Sequence, residues 1–309
     1  MGIRDGGGLP GQKMPPVRGA ISFQENMVYN GEKEGEQMEA KLSVWSSYYV
    51  ELSPEDAVRE FKKYGYSCSE LSDEHGEMLL HRGEPKAVGA AFRKFLEEEQ
   101  FEMKQGHLWL KCKICSDAGM PENLFPWLDL YEAIGVENAV LHCDPMIGEP
   151  DLSEEARYAR NLAALKKIQD YLEAHQMKLR ICLENLRLRF YSVEELLSLV
   201  TKLSPDHFGI CLDTGHLNLT EKNPRHFILA AGKYLRALHI ADNEGETDQH
   251  LMPYGRGNVD IAAVVQALRE IDYHGYFNYE IPGERKAPLP ILGYKLDYIR
   301  KCYDYLMEE

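Results

Sequence analysis

The chain has 309 residues, with 35 Lys and Arg against 50 Asp and Glu, which gives a formal net charge of −15. Binding to phosphate backbones and anionic lipid surfaces draws on basic side chains, so this balance counts against nucleic-acid or membrane partners. No apolar run approaches the roughly 20 residues that span a bilayer, and we expect no secretory signal. The seven cysteines, an odd number lying mostly in apolar runs, indicate reduced core thiols in a cytoplasmic protein.

The first 40 residues differ in composition from the rest of the chain. Glycines and prolines punctuate residues 6–16, and a Glu-rich polar stretch follows. We expect residues 1–40 to form an irregular N-terminal extension and residues 41–309 to form a single domain. Such an extension fits an oligomer contact, so we expect a homo-oligomer, with a hetero-oligomer as the alternative.

Beyond residue 40 the chain alternates between two patterns. Short apolar runs predict strands over residues 41–51, 66–71, 107–114, 138–143, 178–184, 208–213, 234–240 and 276–281. Stretches with apolar residues every three or four positions predict helices over residues 54–64, 86–100, 121–134, 153–175, 192–203, 258–271 and 292–306.

Eight strands alternating with helices predict an α/β fold, a closed parallel (β/α)8 TIM barrel. A doubly wound open sheet is disfavoured, because no G-x-G-x-x-G motif follows the first strand. Trp109 lies in the middle of the third predicted strand, so we expect it to pack in the core.

Carboxylates and imidazoles stand where the last four predicted strands end, at Glu184, Asp213, His239 and Glu280. In a parallel barrel the carboxyl ends of the strands form the mouth where chemistry takes place, so these side chains should converge. Three carboxylates packed together require a cation. The sequence therefore predicts a metal site whose oxygen-rich ligands suit manganese, magnesium, cobalt or zinc.

Other polar residues lie at strand ends and in the insertion after the seventh strand, and two of these places have two interpretations each. His142 ends the fourth strand, where it could shuttle hydroxyl protons or serve as a core histidine. Asp248 and His250 lie in a polar insertion over residues 241–262. They are either ligand-type residues at the mouth or partners in a hydrogen bond within the loop.

Several motifs in this order resemble the xylose isomerase-like barrel superfamily, which includes sugar-phosphate isomerase/epimerase-like proteins and AP endonuclease family 2. They are LEN at 183–185, DTGH at 213–216, HIADN at 239–243, DQH at 248–250, GRG at 255–257 and YE at 279–280. The resemblance to ketose 3-epimerases implies that Glu184, Asp213, His239 and Glu280 hold one divalent metal, with Mn²⁺ favoured.

The same resemblance implies catalytic and substrate-contacting roles. The two glutamates, Glu184 and Glu280, would exchange the substrate proton from opposite faces, and His216 would contact the substrate. Arg256 is the nearest match to an arginine that often assists. The superfamily often has a Glu near the substrate at the end of the second strand, where Glu70 stands here, and a salt bridge inside the rim is the alternative for this residue.

Endonuclease IV-like proteins share more of these candidate ligands with the chain than the ketose 3-epimerases do. Their trinuclear zinc site has further ligands that would match His142, His216, Asp248 and His250. The matching histidine of the third strand is expected to be missing, because His107 falls at the wrong end of the predicted strand. Together with the net charge, that makes DNA repair the weaker alternative.

The sequence thus predicts a metal-dependent isomerase or epimerase of a sugar or related polyhydroxylated carbonyl compound. Proton abstraction beside a metal-bound carbonyl would give an enediolate. Glu184, Glu280, His216 and His142 are the expected catalytic residues, and Glu70, Arg256, His250 and Asp248 the expected substrate contacts. A lyase or dehydratase acting on a keto-sugar, inosose or 3-oxo-glycoside, a phosphodiester hydrolase, and a non-catalytic partner subunit are the alternatives.

Overall fold

The computed structural model describes residues 40–284 and 286–308. The predicted N-terminal extension lies outside these residues except for Ala40. Among the described residues, no helix combines the length and the apolar character needed to cross a bilayer.

The described residues form seven strands, and all the pairings between these strands are parallel. They are β1 (Lys41–Val44), β2 (Gln105–His107), β3 (Asn138–Leu141), β4 (Arg180–Glu184), β5 (Phe208–Asp213), β6 (Leu235–His239) and β7 (Tyr276–Tyr279). Strands β2 to β6 form one sheet in chain order, and β1 pairs with β7. All seven therefore place their carboxyl ends at the same edge.

Isolated parallel bridges join the two sheets into a ring. Ile240 bridges to Tyr279 and so connects β6 with β7. On the other side, Trp45 bridges to Glu70, and Leu71 bridges to Gly106 of β2. The short extended segment at residues 68–71 thus occupies the second strand position, which confirms the predicted (β/α)8 barrel.

Helices surround the ring of strands. They are α1 (Pro54–Lys63), α2 (Asp73–Leu80), α3 (Pro85–Glu99), α4 (Phe125–Ile134), α5 (Glu154–Ala174), α6 (Val193–Val200), α7 (Thr214–Asn218), α8 (Pro224–Ala231), α9 (Ile261–Glu270) and α10 (Leu289–Glu308). Ser153 caps α5 by accepting from the backbone N–H of Ala156, and Ser192 forms a capping box on α6. The predicted helix start at Ser153 is confirmed.

The third predicted strand, 107–114, is wrong in its bounds. The strand is Gln105–His107, and the chain then leaves the sheet through a turn in which Cys112 donates to the Trp109 carbonyl. Leu108 and Ile114 are fully buried although they lie outside a strand, so an apolar run imitated a strand here. Trp109 itself is 37% exposed, and the expectation that it packs in the core is wrong.

The barrel interior is filled by small side chains. Val140, Cys182, Cys211 and Ala237 form a separate buried cluster contributed by the four strands β3 to β6. All seven cysteines carry free thiols, and six of them are buried, with Cys115 half-buried. The burial of six cysteines confirms their predicted place in the core.

Candidate metal centre and mouth of the barrel

Four predicted metal ligands meet at the carboxyl edge of the barrel. Glu184, Asp213, His239 and Glu280 are all buried, and each offers a ligand atom within 4.8 Å of the others. They come from the ends of β4, β5 and β6 and from the residue after β7. The parallel topology therefore brings together side chains that are far apart in the sequence.

Local structure aims the Asp213 carboxylate at the centre of this group. Its Oδ1 caps the short helix α7 by accepting from the His216 backbone N–H, and its Oδ2 is buried without a hydrogen-bond partner. The Asn185 side chain holds the same residue by accepting from the Asp213 N–H at 2.7 Å and donating to its carbonyl at 3.0 Å. One carboxylate oxygen is left available for a ligand.

The imidazole of His239 is oriented in the same way. Its Nε2 lies 3.0 Å from Glu70 Oε1, in a fully buried contact. Its Nδ1 has no hydrogen-bond partner and lies 3.3 Å from Glu184 Oε1 and 3.5 Å from Glu280 Oε2. The unpartnered atoms of Asp213 and His239 face a set of carboxylates, a donor set that suits a divalent cation.

The charges of the site are strongly perturbed. Burial raises the pKa of Glu280 to about 7, against the opposing pull of His239 and His250. Burial would also raise the pKa of Glu184, but the neighbouring imidazoles of His239 and His142 hold it well below its usual range. The crowded carboxylates repel one another and are only partly balanced by the imidazoles, and a bound cation would reduce this repulsion.

Two further groups of ligand-type side chains adjoin the first. His107 and His142 contact the same oxygen of Glu184, at 3.4 and 2.9 Å. Asp248 lies 3.1 Å from His216 and 3.2 Å from His250. The three groups could each hold a metal ion, and Glu184 is common to two of them.

The placement of His107 corrects a prediction. Because β2 ends at this residue, His107 stands at the carboxyl end of the third barrel strand, not at the wrong end. It is buried, and its Nε2 has no hydrogen-bond partner. Burial alone would lower the pKa of His107, but the Glu184 carboxylate 3.4 Å away outweighs burial and raises it to about 9. The expectation that a third-strand histidine is missing is therefore wrong.

The loop after β6 carries Asp248 and His250 to the mouth. An antiparallel bridge between Asp242 and Leu251 anchors it. A Cβ added to Gly257 would lie 2.1 Å from the Asp242 carboxylate, so this glycine permits a close approach within the loop base. His250 Nδ1 lies 2.7 Å from the Glu280 carbonyl, which ties the loop to the end of β7.

A cavity of about 340 Å³ opens above these residues. Its lining combines the polar groups of the site with apolar side chains and two arginines. Its lining comprises Trp45, Leu110, His142, Pro145, Ile147, Glu184, Leu186, Arg187, Leu188, Arg189, His216, Asp248, His250, Glu280 and Pro282. Six of the eight residues predicted to be catalytic or to contact substrate thus lie at one mouth.

The other two predicted substrate contacts lie elsewhere. Glu70 is fully buried beneath the mouth against His239, and Arg256 is largely exposed, 3.6 Å from Glu244. Arg187, which sequence reasoning missed, lines the cavity 3.7 Å from Asp248 Oδ2. Its position two residues after the LEN motif at 183–185 was the available signal, because loops after barrel strands surround the mouth.

Comparisons with known proteins match one family model and several relatives. The model of the xylose isomerase-like TIM barrel family matches residues 58–302. An L-ribulose 3-epimerase of Methylomonas sp. is 29% identical over 250 residues, which cover 77% of this chain and 81% of that protein. An uncharacterized protein, y4fM, of Sinorhizobium fredii is 28% identical over 211 residues, 67% of this chain and 62% of that protein. The chain spans less than half the length of two further relatives.

A solved structure gives the same fold. The structure of a D-psicose 3-epimerase in the presence of D-fructose superposes with a TM-score of 0.71 and covers 87% of this chain and 100% of that one. The two chains are 17% identical, so this likeness supports the barrel architecture.

Proposed function

The chain belongs to the xylose isomerase-like TIM barrel family, and from this membership we propose that it is a divalent-metal-dependent isomerase or epimerase of a sugar or related polyhydroxylated carbonyl compound. The observation that carries the proposal is the buried group of Glu184, Asp213, His239 and Glu280 beneath an open mouth. The related sugar 3-epimerases support the substrate class.

A divalent cation held by these four residues would supply a positive charge that stabilises negative charge developing on a substrate carbonyl. Glu184 and Glu280 are the two carboxylates of the group that also line the cavity. One of them would take the proton from the carbon beside the carbonyl, and the other would return a proton from the opposite side. His142 and His216 line the same cavity and would exchange protons with substrate hydroxyls.

The wall of the cavity contributes to binding. Arg187 takes the place that Arg256 was expected to fill, because it lines the mouth while Arg256 lies on the outer part of the loop. Asp248 and His250 line the same cavity and would orient hydroxyl groups. The surrounding apolar residues reduce contact with water, which strengthens each polar interaction inside.

The test is proton exchange measured on a metal-loaded enzyme. The protein, loaded separately with Mn²⁺, Mg²⁺, Co²⁺ and Zn²⁺, is incubated in D₂O with a panel of ketoses, inososes and 3-oxo-glycosides. We expect deuterium at the carbon beside the carbonyl of an isomerised product. Product without deuterium would exclude proton abstraction, and an eliminated product would identify the lyase alternative.

Two variants assign the proton transfers. Glu184→Gln and Glu280→Gln should each lower turnover by about 10²–10⁴-fold, the usual contribution of a positioned acid or base. Glu122→Gln is the matched control, because Glu122 is exposed and pairs with Lys167. A Glu280 variant that retains the turnover of the control would remove that residue from the mechanism.

A second candidate function follows from a specific observation. The groups His107–His142–Glu184 and His216–Asp248–His250 adjoin the first group, so the mouth holds ligands for more than one ion. Clustered metal ions suit hydrolysis of a phosphodiester, which places charge on both the attacking and the leaving oxygen. Cleavage of abasic duplex DNA by zinc-loaded protein, absent in the Asp248→Asn variant, would favour this function over the isomerase.

A further inference from the structure

A chain of buried hydrogen bonds lies directly beneath the candidate metal centre. It links four barrel strand positions, the first, second, seventh and eighth, through Ser43, Glu70, His239 and Asn278. All four residues are fully buried. We propose that Glu70 is a positioning residue that fixes the His239 proton on Nε2 and so turns the Nδ1 lone pair toward the metal. This inference deepens the proposed function, because it rests on the same metal centre.

The direction of each hydrogen bond in this chain supports the assignment. Ser43 Oγ donates to Asn278 Oδ1 at 2.8 Å, which leaves the Asn278 amide N–H to donate to Glu70 Oε2. The other oxygen of Glu70, Oε1, lies 3.0 Å from His239 Nε2 and can only accept while the carboxylate is ionised. Nε2 is then the donor, and Nδ1 is the free nitrogen.

The opposite edge of the imidazole agrees with this orientation. His239 Nδ1 has no hydrogen-bond partner and faces Glu184 and Glu280. A metal-bound imidazole coordinates through one nitrogen and commonly donates its other N–H to a carboxylate, which orients the ring. Glu70 is deep in the barrel and does not line the mouth, so it acts through His239 and has no contact with substrate.

The polarity of the chain makes a sharp prediction for Glu70→Gln. While the Ser43 hydroxyl keeps donating to Asn278 Oδ1, the new amide at position 70 accepts from Asn278 with its oxygen, which turns its NH₂ group toward His239 Nε2. Two donors then face each other, unless the His239 proton moves to Nδ1 and blocks the ligand atom. We expect a loss of affinity for Zn²⁺ and Mn²⁺ of about 10- to 100-fold, the usual effect of removing such a partner.

A second substitution should reverse the defect. In the double variant Glu70→Gln/Asn278→Asp, the new carboxylate accepts from the Ser43 hydroxyl and from the new amide. The amide oxygen is then free to accept from His239 Nε2. A purely structural role for Glu70 would not predict rescue by this exchange. Glu74→Gln is the matched control, because Glu74 is a nearby glutamate that accepts from Ser47 and does not contact His239.

The experiment measures metal affinity by competition with a chelating dye, without any sugar, for wild type and the three variants. Supporting results are the expected loss in Glu70→Gln, recovery of most of it in the double variant, and wild-type affinity in Glu74→Gln. Wild-type affinity in Glu70→Gln, or no recovery in a folded double variant, would overturn the proposal.

A measurement on the wild type keeps the test independent of how the variants fold. In the Zn²⁺-loaded protein, NMR of ¹⁵N-labelled histidine should show the His239 proton on Nε2, and a proton on Nδ1 would overturn the inference. Failure of sugar conversion would bear on the proposed function alone, because neither measurement uses a substrate.

Discussion

Replacing Asn185 with alanine tests how the candidate site is built into the fold. The Asn185 side chain is fully buried and makes two hydrogen bonds to the backbone of Asp213, one to its N–H and one to its carbonyl. The variant removes both partners at once and leaves two buried backbone groups of Asp213 without them. The backbone at the end of β5 would lose its link to the residue after β4.

The size of the effect follows from these two bonds. A buried backbone group that loses its hydrogen-bond partner costs about 1–3 kcal/mol, so two such groups cost about 2–6 kcal/mol. Partial relaxation of the strand end favours the lower part of that range, and we expect a loss of about 3 kcal/mol in the free energy of unfolding. This is a large share of the 5–15 kcal/mol typical of a folded domain.

Urea unfolding in the presence of a chelator is the appropriate assay, because it separates the loss of hydrogen bonds from any contribution of bound metal. Asn123→Ala is the control, since Asn123 is exposed and its side chain donates one hydrogen bond, to the Ala118 carbonyl. The control should shift the free energy of unfolding by about 0.5 kcal/mol or less. If both variants unfold at the same urea concentration, the Asn185 bonds do not stabilise the strand end as argued.

Two further predictions concern metal and pH. A metal ion at 100 times its dissociation constant stabilises the folded protein by about 2.7 kcal/mol. Removing the metal with a chelator should therefore lower the melting temperature by about 5–10 °C. Identical melting curves with and without the chelator would argue against a bound ion. Burial lowers the pKa of His75, whose neutral ring accepts from the Ser46 hydroxyl and donates to the Leu52 carbonyl. The unfolded chain therefore takes up the proton first, so the stability contributed by neutral His75 should be present above about pH 6.5 and lost as the pH falls. In the His75→Gln variant, the free energy of unfolding should fall less steeply with decreasing pH. Parallel pH profiles of the free energy of unfolding for variant and wild type would refute this role.

The metal group could be predicted from the sequence because it depends on topology. In an alternating α/β chain, every parallel strand ends at the same edge, so residues at strand ends converge whatever their separation in sequence. Strands β4 and β5 begin and end close to the predicted positions, and Glu184 and Asp213 are their last residues. An error of one or two residues at the start of a strand does not move the side chain at its end.

The third strand shows where this reasoning fails. The apolar run after His107 continues through Leu108 and Leu110, and a buried loop shows the same apolar content as a buried strand. Whether such a run forms a strand depends on hydrogen bonding to the neighbouring strand, and the β2–β3 pairing ends at His107 opposite Val140. The direction of the hydrogen bonds to the Glu70 side chain is likewise invisible in sequence, because its partners His239 and Asn278 come from two other strands.

The position of His107 also changes the weight of the functional alternatives. The nuclease alternative is weak only if the third-strand ligand is missing. His107 is in place: it contacts Glu184 Oε2 together with His142, while Glu184 Oε1 faces His239. The number of metal ions per chain is therefore the decisive measurement. One ion leaves the histidines free to exchange protons with a sugar, as the proposed isomerase requires. Three ions would occupy the same histidines and Asp248 as ligands, and the mouth would then favour a phosphodiester over a carbonyl compound.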